Sequence, residues 1–303
     1  MMSIQLIRYP KSRKLNQMYR DVRSFLLGIK DTEYCYARWD WMITHPMTNM
    51  DALSKIGIWK DNDEIVGLAI YDMAPNIVFI RTKRMYEYLK KEIVDYVETH
   101  YIHEQYVKIM IQDDDVSLQK IVANNGFTPI NHKEYTSVFY PNETDFSYVL
   151  PKGFKVVSLK EAPDIYQYYK LFWRGFNHEL NGEGKYQHSE KKEAQGKREL
   201  FRENNELSHK IIIQNKEGDH VAFCGLWYDK SVDFALVEPL ATDPDYRRRG
   251  LAIAAMYEGI KRVHIAGAKR VIVCTNKQFY YNRGFRPFRT QTVWEKKIIQ
   301  KKS

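Results

Sequence analysis

Short apolar segments separated by polar turns follow one another along the chain in two similar series. In the first series, the patterns typical of strands are SKIGIW, EIVGLAIYD, NIVFI, VKIMI and YTSVFY, and RMYEYLKKEIVDYVETHY has a helical pattern. In the second series, the corresponding segments are HKIIIQ, HVAFCGLWYD, DFALVEPLA, RVIVCT and QTVWEKK, and the helical pattern begins at Leu251. Paired strands followed by a strand–helix–strand unit predict an α/β fold, with a mixed, mostly antiparallel sheet flanked by helices.

A polar connection, FYPNETDFSYVLPKGFKV, separates the two series. It contains Pro141, Pro151 and Gly153, which interrupt regular structure. Each side is about 150 residues long, which is a typical domain size. The motifs NGF at 125–127 and RGF at 283–285 occupy the same place in each series. We therefore predict two domains related as distant repeats, over residues 1–146 and 147–303.

Composition narrows the class of protein and its compartment. No apolar run approaches membrane-spanning length, and the N-terminal residues lack the apolar core of a signal peptide. The three cysteines (Cys35, Cys224 and Cys274) are far apart in the sequence and form no Cys-x-x-Cys pair, which indicates a reducing compartment. These features predict a cytoplasmic protein that is not bound to a membrane.

The chain is basic, with 47 Lys and Arg against 38 Asp and Glu and a formal net charge of +9. An excess of this size is consistent with solubility alone. The more specific interpretation is an anionic ligand, either nucleic acid or a phosphorylated small molecule. Net charge does not distinguish solubility from binding of an anionic ligand. The positions of the cationic residues in the sequence are therefore needed to choose between them.

Three consecutive arginines lead into a glycine in the stretch EPLATDPDYRRRGLAIAAMYEG. The apolar positions Ala252, Met256, Ile260 and Val263 predict a helix that begins directly after Gly250. Free N–H groups and the positive end of the helix dipole make such a terminus an anion site, and glycine permits close approach. The compact, backbone-rich arrangement favours a diphosphate over a nucleic-acid duplex. The nucleoside-triphosphate pattern Gly-x-x-x-x-Gly-Lys-Ser/Thr is absent.

The motif Arg247-x-x-Gly250-x-Ala252 is similar to the Gln/Arg-x-x-Gly-x-Gly/Ala signature of the GCN5-related N-acetyltransferase (GNAT) family. The later element FYYNRGFRP resembles the family's LYEKLGF element, and the order of elements in the C-terminal half resembles the family fold. The N-terminal half resembles the same fold without the signature, since RTKRMY at 81–86 contains no glycine. The resemblance implies tandem GNAT domains, of which the first is degenerate and the second binds acetyl-CoA.

The resemblance also implies which residues hold acetyl-CoA. The pantetheine arm would pair with the strand backbone at 240–242, where the N–H of Leu240 would donate to the thioester carbonyl as an oxyanion hole. The pyrophosphate would lie on N–H groups from Arg247 to Ile253. Asn276 corresponds to a family asparagine near the cofactor, although it stands closer to Tyr280 than usual. The predicted cofactor residues are Leu240, Ala241, Thr242, Arg247, Arg248, Arg249, Gly250, Leu251, Ala252, Ile253, Asn276 and Phe279.

The resemblance further implies acid and base residues for acyl transfer to an amine. Glu238 occupies a place where many family members carry the base, acting directly or through water. The alternative is a strand-end carboxylate paired with an arginine. Tyr280 has the family's spacing from Gly284 for the acid that protonates the leaving thiolate. The alternatives are that Tyr280 only packs, or that the neighbouring Tyr281 is the acid.

Three function classes follow, and an acetyl-CoA-dependent N-acetyltransferase acting on a primary amine of a small molecule is preferred. The alternatives are a CoA-binding module without catalysis, and an aminoacyl or peptide N-acyltransferase. His178 and Glu179 either hold the amine or form a solvated helix end. His100 and His103 have no Cys or carboxylate constellation nearby, and two histidines at this spacing are more often a helix-terminal feature, so no metal is predicted. We expect no nucleic-acid partner, and a monomer or homodimer.

Overall fold

The chain forms two compact units in the computed structural model, which describes residues 4–298. Unit 1 contains residues 4–136 and 288–298 of the described chain, and unit 2 is Ser137–Pro287. Two strands cross the boundary between the units, β6 (Thr128–Phe139) and β12 (Arg286–Lys297). Each unit is a mixed sheet with helices, as the sequence pattern predicts.

Unit 1 contains a sheet in the order β1-β2-β3-β4-β5-β12, in which only the β4–β5 pair is parallel. Its further strands are β1 (Ile4–Arg8), β2 (Gly57–Asp61), β3 (Glu64–Tyr71), β4 (Val78–Thr82) and β5 (Tyr106–Gln112). Its helices are α1 (Gln17–Ile29), α2 (Tyr36–Thr44), α3 (Met50–Leu53), α4 (Lys90–His100) and α5 (Val116–Asn124).

Unit 2 contains a sheet in the order β6-β11-β10-β9-β8-β7, in which only the β10–β11 pair is parallel. Its further strands are β7 (Lys155–Ser158), β8 (Lys210–Gln214), β9 (His220–Tyr228), β10 (Phe234–Thr242) and β11 (Arg270–Val273). Its helices are α6 (Ile165–Gly175), α7 (Glu190–Leu200), α8 (Leu251–Ile265) and α9 (Gln278–Tyr281).

The two faces of the unit 2 sheet bury different helices. On one face, α8 packs with alternate residues of β8 and β9 such as Ile211 and Leu226. On the other face, α6 packs through Leu171 against Ile212 and Phe223. This alternation follows from the two-residue period of strands, and it makes β9 a fully covered central strand.

The compact units differ from the sequence division at residue 146. Residues Gln291–Lys297 of β12 pair antiparallel with Tyr106–Gln112 of β5, so the C-terminal strand belongs to unit 1. In return, Ser137–Phe139 of β6 pairs with Val271–Val273 of β11 in unit 2. The sequence pattern identifies these strands, but their partners depend on contacts between residues far apart in the chain.

Helix α7 shows how a polar segment becomes part of the fold. The sequence KKEAQGKREL indicates a solvated helix face or a mobile loop, and the structure places it in a helix with Gly196 and Leu200 buried. A Cβ added to Gly196 would lie 2.4 Å from the Ile165 side chain, so glycine permits close packing against α6. The Tyr169 hydroxyl also donates to Glu199 at 2.7 Å.

Unit 1 buries an acidic pair between α1 and α2. The Asp31 carboxylate is bonded to Arg81, and the Glu33 carboxylate accepts hydrogen bonds from Thr32 at 2.7 Å and Gln112 at 2.5 Å. The Glu33 side chain is 0% exposed. Burial, with the adjacent Asp31, raises the pKa of the Glu33 carboxyl to about 7.

The Glu33→Gln variant is expected to flatten the pH dependence of unit 1 stability. The folded state binds the Glu33 proton more tightly than the unfolded state, so protonation of Glu33 stabilises the fold. This stabilisation is complete below the ordinary carboxyl pKa and is lost as the pH rises towards 7. Between pH 5 and 7, the wild type should lose roughly 1–3 kcal/mol more free energy of unfolding than the variant. Urea denaturation at both pH values measures this. The exposed Glu104→Gln is the matched control, and equal pH slopes in the wild type and Glu33→Gln would contradict the prediction.

Candidate active site

Helix α8 of unit 2 begins at a glycine with an open N-terminus. Gly250 adopts φ 78°, a left-handed conformation, and its carbonyl accepts the first helical hydrogen bond from the Ala254 N–H at 3.0 Å. The N–H groups of Leu251, Ala252 and Ile253 precede that bond, so they have no backbone acceptor in residues 4–298. A helix terminus of this kind binds anions.

The three arginines before Gly250 have different surroundings. Arg247 donates to the Gly175 carbonyl at 3.0 Å and to the Asn177 side chain at 2.6 Å. Arg249 donates to the Asp245 carbonyl at 3.0 Å and lies over the Tyr246 ring. Arg248 is exposed, with φ 63°. Arg247 and Arg249 therefore brace the turn, while Arg248 has the guanidinium best placed to meet an anion from solvent.

The C-terminal end of α6 is fixed against this turn. Arg174 donates to the Asp243 carboxylate at 2.5 Å and to the Asp245 carboxylate at 2.6 Å. A Cβ added to Gly175 would lie 3.1 Å from the Ala241 Cβ, so helix and strand approach closely here. These contacts hold the end of β10 and the start of α8 in one arrangement before any ligand binds.

Strand β10 separates from β11 and carries a bulge. Parallel pairing with β11 covers only Phe234–Leu236, whereas pairing with β9 continues to Thr242. The register on β9 shifts by one residue between Val237 and Leu240, around Glu238 and Pro239. The β11 side of Leu240–Thr242 is therefore outside the ladder, and an extended ligand could hydrogen-bond there.

The bulge is packed from β9. A Cβ added to Gly225 would lie 2.5 Å from the Glu238 carbonyl oxygen, so only glycine permits this approach. The Trp227 indole N–H donates to the same carbonyl at 3.0 Å. The backbone at Glu238 is thus held by an adjacent strand.

Tyr280 lies on α9 with its side chain directed into unit 2. It is buried and packs at the edge of the α8 core against Phe285. Burial raises its pKa well above the usual tyrosine range, and the Glu238 charge acts in the same direction. Tyr280 and Cys224 belong to the same buried cluster, and the raised pKa keeps the Tyr280 phenol protonated at neutral pH.

The neighbouring predicted residues are less enclosed. Tyr281 is half-buried, and its hydroxyl lies 3.5 Å from the Ser137 hydroxyl. Asn276 is exposed between β11 and α9, and Phe279 is exposed on α9, where its ring lies edge-on to the Tyr280 ring. Their role as cofactor residues stays a prediction.

Polar side chains form hydrogen bonds within the segment between α6 and α7, residues 176–189. Glu179 accepts from Arg174 at 2.6 Å and from the Tyr186 N–H at 3.1 Å. His178 is 2.7 Å from the Glu183 carboxylate and stacks on Trp173. Glu179 therefore organises the segment, and its amine-binding role stays a prediction.

Within residues 4–298, no group of three or more His, Cys, Asp or Glu side chains is arranged to hold a metal ion. None of the helices in that range combines the length and apolarity needed to cross a bilayer.

Comparison with known proteins decides the family. Residues 164–285 match the model of the acetyltransferase (GNAT) family. This segment is a GNAT domain. It contains the helix start at Gly250, the separated strand β10 and Tyr280, so the site described above lies in the part of the chain that carries the family match. No match to the chain was found among curated proteins.

Solved GNAT structures share the fold over nearly the whole chain. A tandem GNAT protein from the clavulanic acid biosynthesis pathway has a TM-score of 0.59 at 11% identity, covering 97% of this chain and 98% of its own. A GCN5-related N-acetyltransferase from Sphaerobacter thermophilus has a TM-score of 0.55 at 11% identity, covering 97% and 95%. A GNAT-family acetyltransferase from Colwellia psychrerythraea has a TM-score of 0.54 at 11% identity, covering 97% and 98%. The prediction of a tandem GNAT fold is confirmed.

Sequence reasoning missed several residues that shape the GNAT site. Arg174 and Gly175 give no motif, because their partners Asp243 and Ala241 are far away in sequence. In the sequence, Lys210 and Trp227 are indistinguishable from other residues of their strands. The one available signal was a lysine at the start of an apolar strand, KIIIQ, where a buried charge requires a specific reason.

Proposed function

We propose that unit 2 transfers an acetyl group from acetyl-CoA to a primary amine of a small molecule, by direct attack on the thioester. The observation that carries the proposal is the juxtaposition of an open helix start at Gly250 with the unpaired side of β10. The first supplies N–H groups for a pyrophosphate, and the second supplies a strand edge for the amide-containing pantetheine arm.

The cofactor would lie along the end of β10 and the start of α8, which are joined by the turn at residues 243–250. The backbone at Leu240–Thr242 would pair with the pantetheine arm, and the Leu240 N–H would polarise the thioester carbonyl. The N–H groups of Leu251, Ala252 and Ile253 would hold the pyrophosphate, with Arg248 as its cationic partner. Arg247 and Arg249 would support the turn through their existing contacts.

The reaction requires two proton transfers. The amine nitrogen attacks the thioester carbon, the new C–N bond forms, and the C–S bond breaks. Glu238, directly or through water, would accept the proton lost by the amine. Tyr280 would donate a proton to the departing thiolate, and its high pKa keeps that proton in place until the C–S bond breaks.

Unit 1 would be a copy that no longer binds the cofactor. Where unit 2 has its glycine-led helix, unit 1 has a 3₁₀ segment, Arg84–Leu89, without glycine. A 3₁₀ turn with bulky side chains does not present the same open ring of N–H groups. Isothermal titration with acetyl-CoA should therefore give one site per chain, and two equivalent sites would reject this assignment.

A screen of small amines for released CoA thiol tests the activity itself. On an amine that reacts, Glu238→Gln should lower kcat/KM by at least about 100-fold at low pH, where a base contributes most. The loss should shrink as pH rises and more acceptor is neutral. A pH–rate profile identical to that of the wild type would remove Glu238 as the base. One-site binding with no thiol release from any amine would favour a CoA-binding module instead.

A further inference from the structure

A lysine is buried beside the strand that carries Glu238. Lys210 is the first residue of β8 and is 4% exposed. Its ammonium donates to the Leu226 carbonyl at 2.9 Å and lies 3.5 Å from the centroid of the Trp227 ring. Burying a lysine side chain costs free energy unless its charge is compensated, so a specific use of the charge is expected at this position.

The strand register places this ammonium on the same face as the bulge. Lys210 stands directly opposite Gly225, and Trp227 follows two residues later on the same face of β9. Because Gly225 has no side chain, the Glu238 backbone approaches β9 closely here, and an added Cβ would lie 2.5 Å from the Glu238 carbonyl oxygen. Trp227 links the two residues, since its ring lies under the Lys210 ammonium and its indole N–H donates to the Glu238 carbonyl.

The charges of Lys210 and Glu238 both affect the pKa of the Cys224 thiol. Burial raises the pKa of the Cys224 thiol, while the Lys210 charge lowers it and the Glu238 charge raises it. Burial, and after it the Glu238 charge, raises the pKa of the Tyr280 phenol. His209 adjoins Lys210, and burial lowers its pKa, so it contributes no positive charge at neutral pH. Lys210 and Glu238 thus shift the pKa of the same thiol in opposite directions.

We propose that Lys210 is a positioning residue for Glu238. Its buried ammonium favours the ionised carboxylate, and its contact with the Trp227 ring fixes the indole that holds the Glu238 carbonyl. A carboxylate accepts a proton from the amine only when it is ionised, and a cation in a low-dielectric interior promotes that state strongly. The consequence for catalysis rests on the proposed role of Glu238 as the base.

The electrostatic part can be measured without an acceptor. In protein labelled with ¹³C at glutamate carboxyls, the Glu238 resonance is identified by its absence from Glu238→Gln. Lys210→Met keeps the length of the side chain but removes the charge, so the Glu238 titration midpoint should move upward by about one pH unit or more. Lys210→Arg should restore a midpoint near that of the wild type. Lys90→Met is the matched control, because Lys90 is a buried lysine of unit 1, 6% exposed.

The kinetic test uses the most reactive amine from the thiol screen. Lys210→Met should lower kcat/KM about tenfold on the acidic side of the profile and much less on the basic side. In the Glu238→Gln background, the same substitution should have little further effect on the profile. Circular dichroism and acetyl-CoA titration establish that each variant is folded.

The outcomes separate this inference from the proposed function. An unchanged Glu238 midpoint in folded Lys210→Met overturns the inference, whatever the activity. If Lys210→Met fails to fold, Lys210→Gln gives the same comparison, with a side chain that can still donate to the Leu226 carbonyl. A shifted midpoint together with full activity of Glu238→Gln would support the effect of Lys210 while rejecting Glu238 as the base.

Discussion

Replacing Tyr280 with phenylalanine is expected to lower kcat by about 10²–10⁴-fold while leaving acetyl-CoA affinity nearly unchanged. The substitution removes only the hydroxyl, and the ring keeps its place against Phe285. Because burial holds the pKa of Tyr280 above its usual range, the phenol stays protonated, and the wild-type profile should show no loss of activity from its ionisation near neutral pH. Steady-state kinetics and isothermal titration measure the two effects.

Tyr281→Phe is the matched control, since it makes the same chemical change one residue away. Tyr281 is half-buried, and its hydroxyl lies only at the limit of hydrogen-bond distance from Ser137. Little change in kcat is expected. A large loss in Tyr281→Phe with normal turnover in Tyr280→Phe would assign the acid to Tyr281.

The Gly250→Glu variant is expected to weaken acetyl-CoA binding by at least about 100-fold. A glutamate at φ 78° is strained, and its carboxylate would occupy the anion site at the start of α8. Nothing lies within 4 Å of the position of an added Cβ, so the substitution causes no steric clash at the Cβ. Isothermal titration against the wild type measures the loss.

Gly218→Glu separates the effect on the site from the cost of strain. Gly218 lies in the same unit, has φ 88° and also has no atom within 4 Å of an added Cβ. Its variant should bind acetyl-CoA as the wild type does. Normal binding by Gly250→Glu, or equal losses in both variants, would remove the α8 terminus as the pyrophosphate site.

The site residues that could be predicted from sequence are those whose structure is set locally. The helix after Gly250 follows from its apolar period. The left-handed conformation of Gly250 does not follow from its position, because the residue before a helix is ordinarily extended. The parts that could not be predicted depend on distant pairing. The cation at Lys210 becomes relevant to Glu238 only through the registers β8–β9 and β9–β10, and a register is decided by packing over the entire sheet.

The arginine cluster illustrates the same limit. The sequence predicts three arginines that bind phosphate. In the structure, Arg247 already donates hydrogen bonds to Gly175 and Asn177, and Arg249 donates one to Asp245. Their partners lie on α6 and in the preceding turn, and the sequence alone does not indicate these contacts. Net charge therefore overstates how much of the cluster is available to a ligand.

The exchange of β12 determines the order in which the protein is completed during synthesis on a ribosome. Unit 2 ends at Pro287, whereas unit 1 requires residues 288–298, although it starts at the beginning of the chain. Unit 2 is thus completed first, and β5 has no partner on this side until residues Gln291–Lys297 of β12 have been translated. A chain stopped after Pro287 would retain every residue of unit 2, but it would leave the β5 edge open to pairing with other chains.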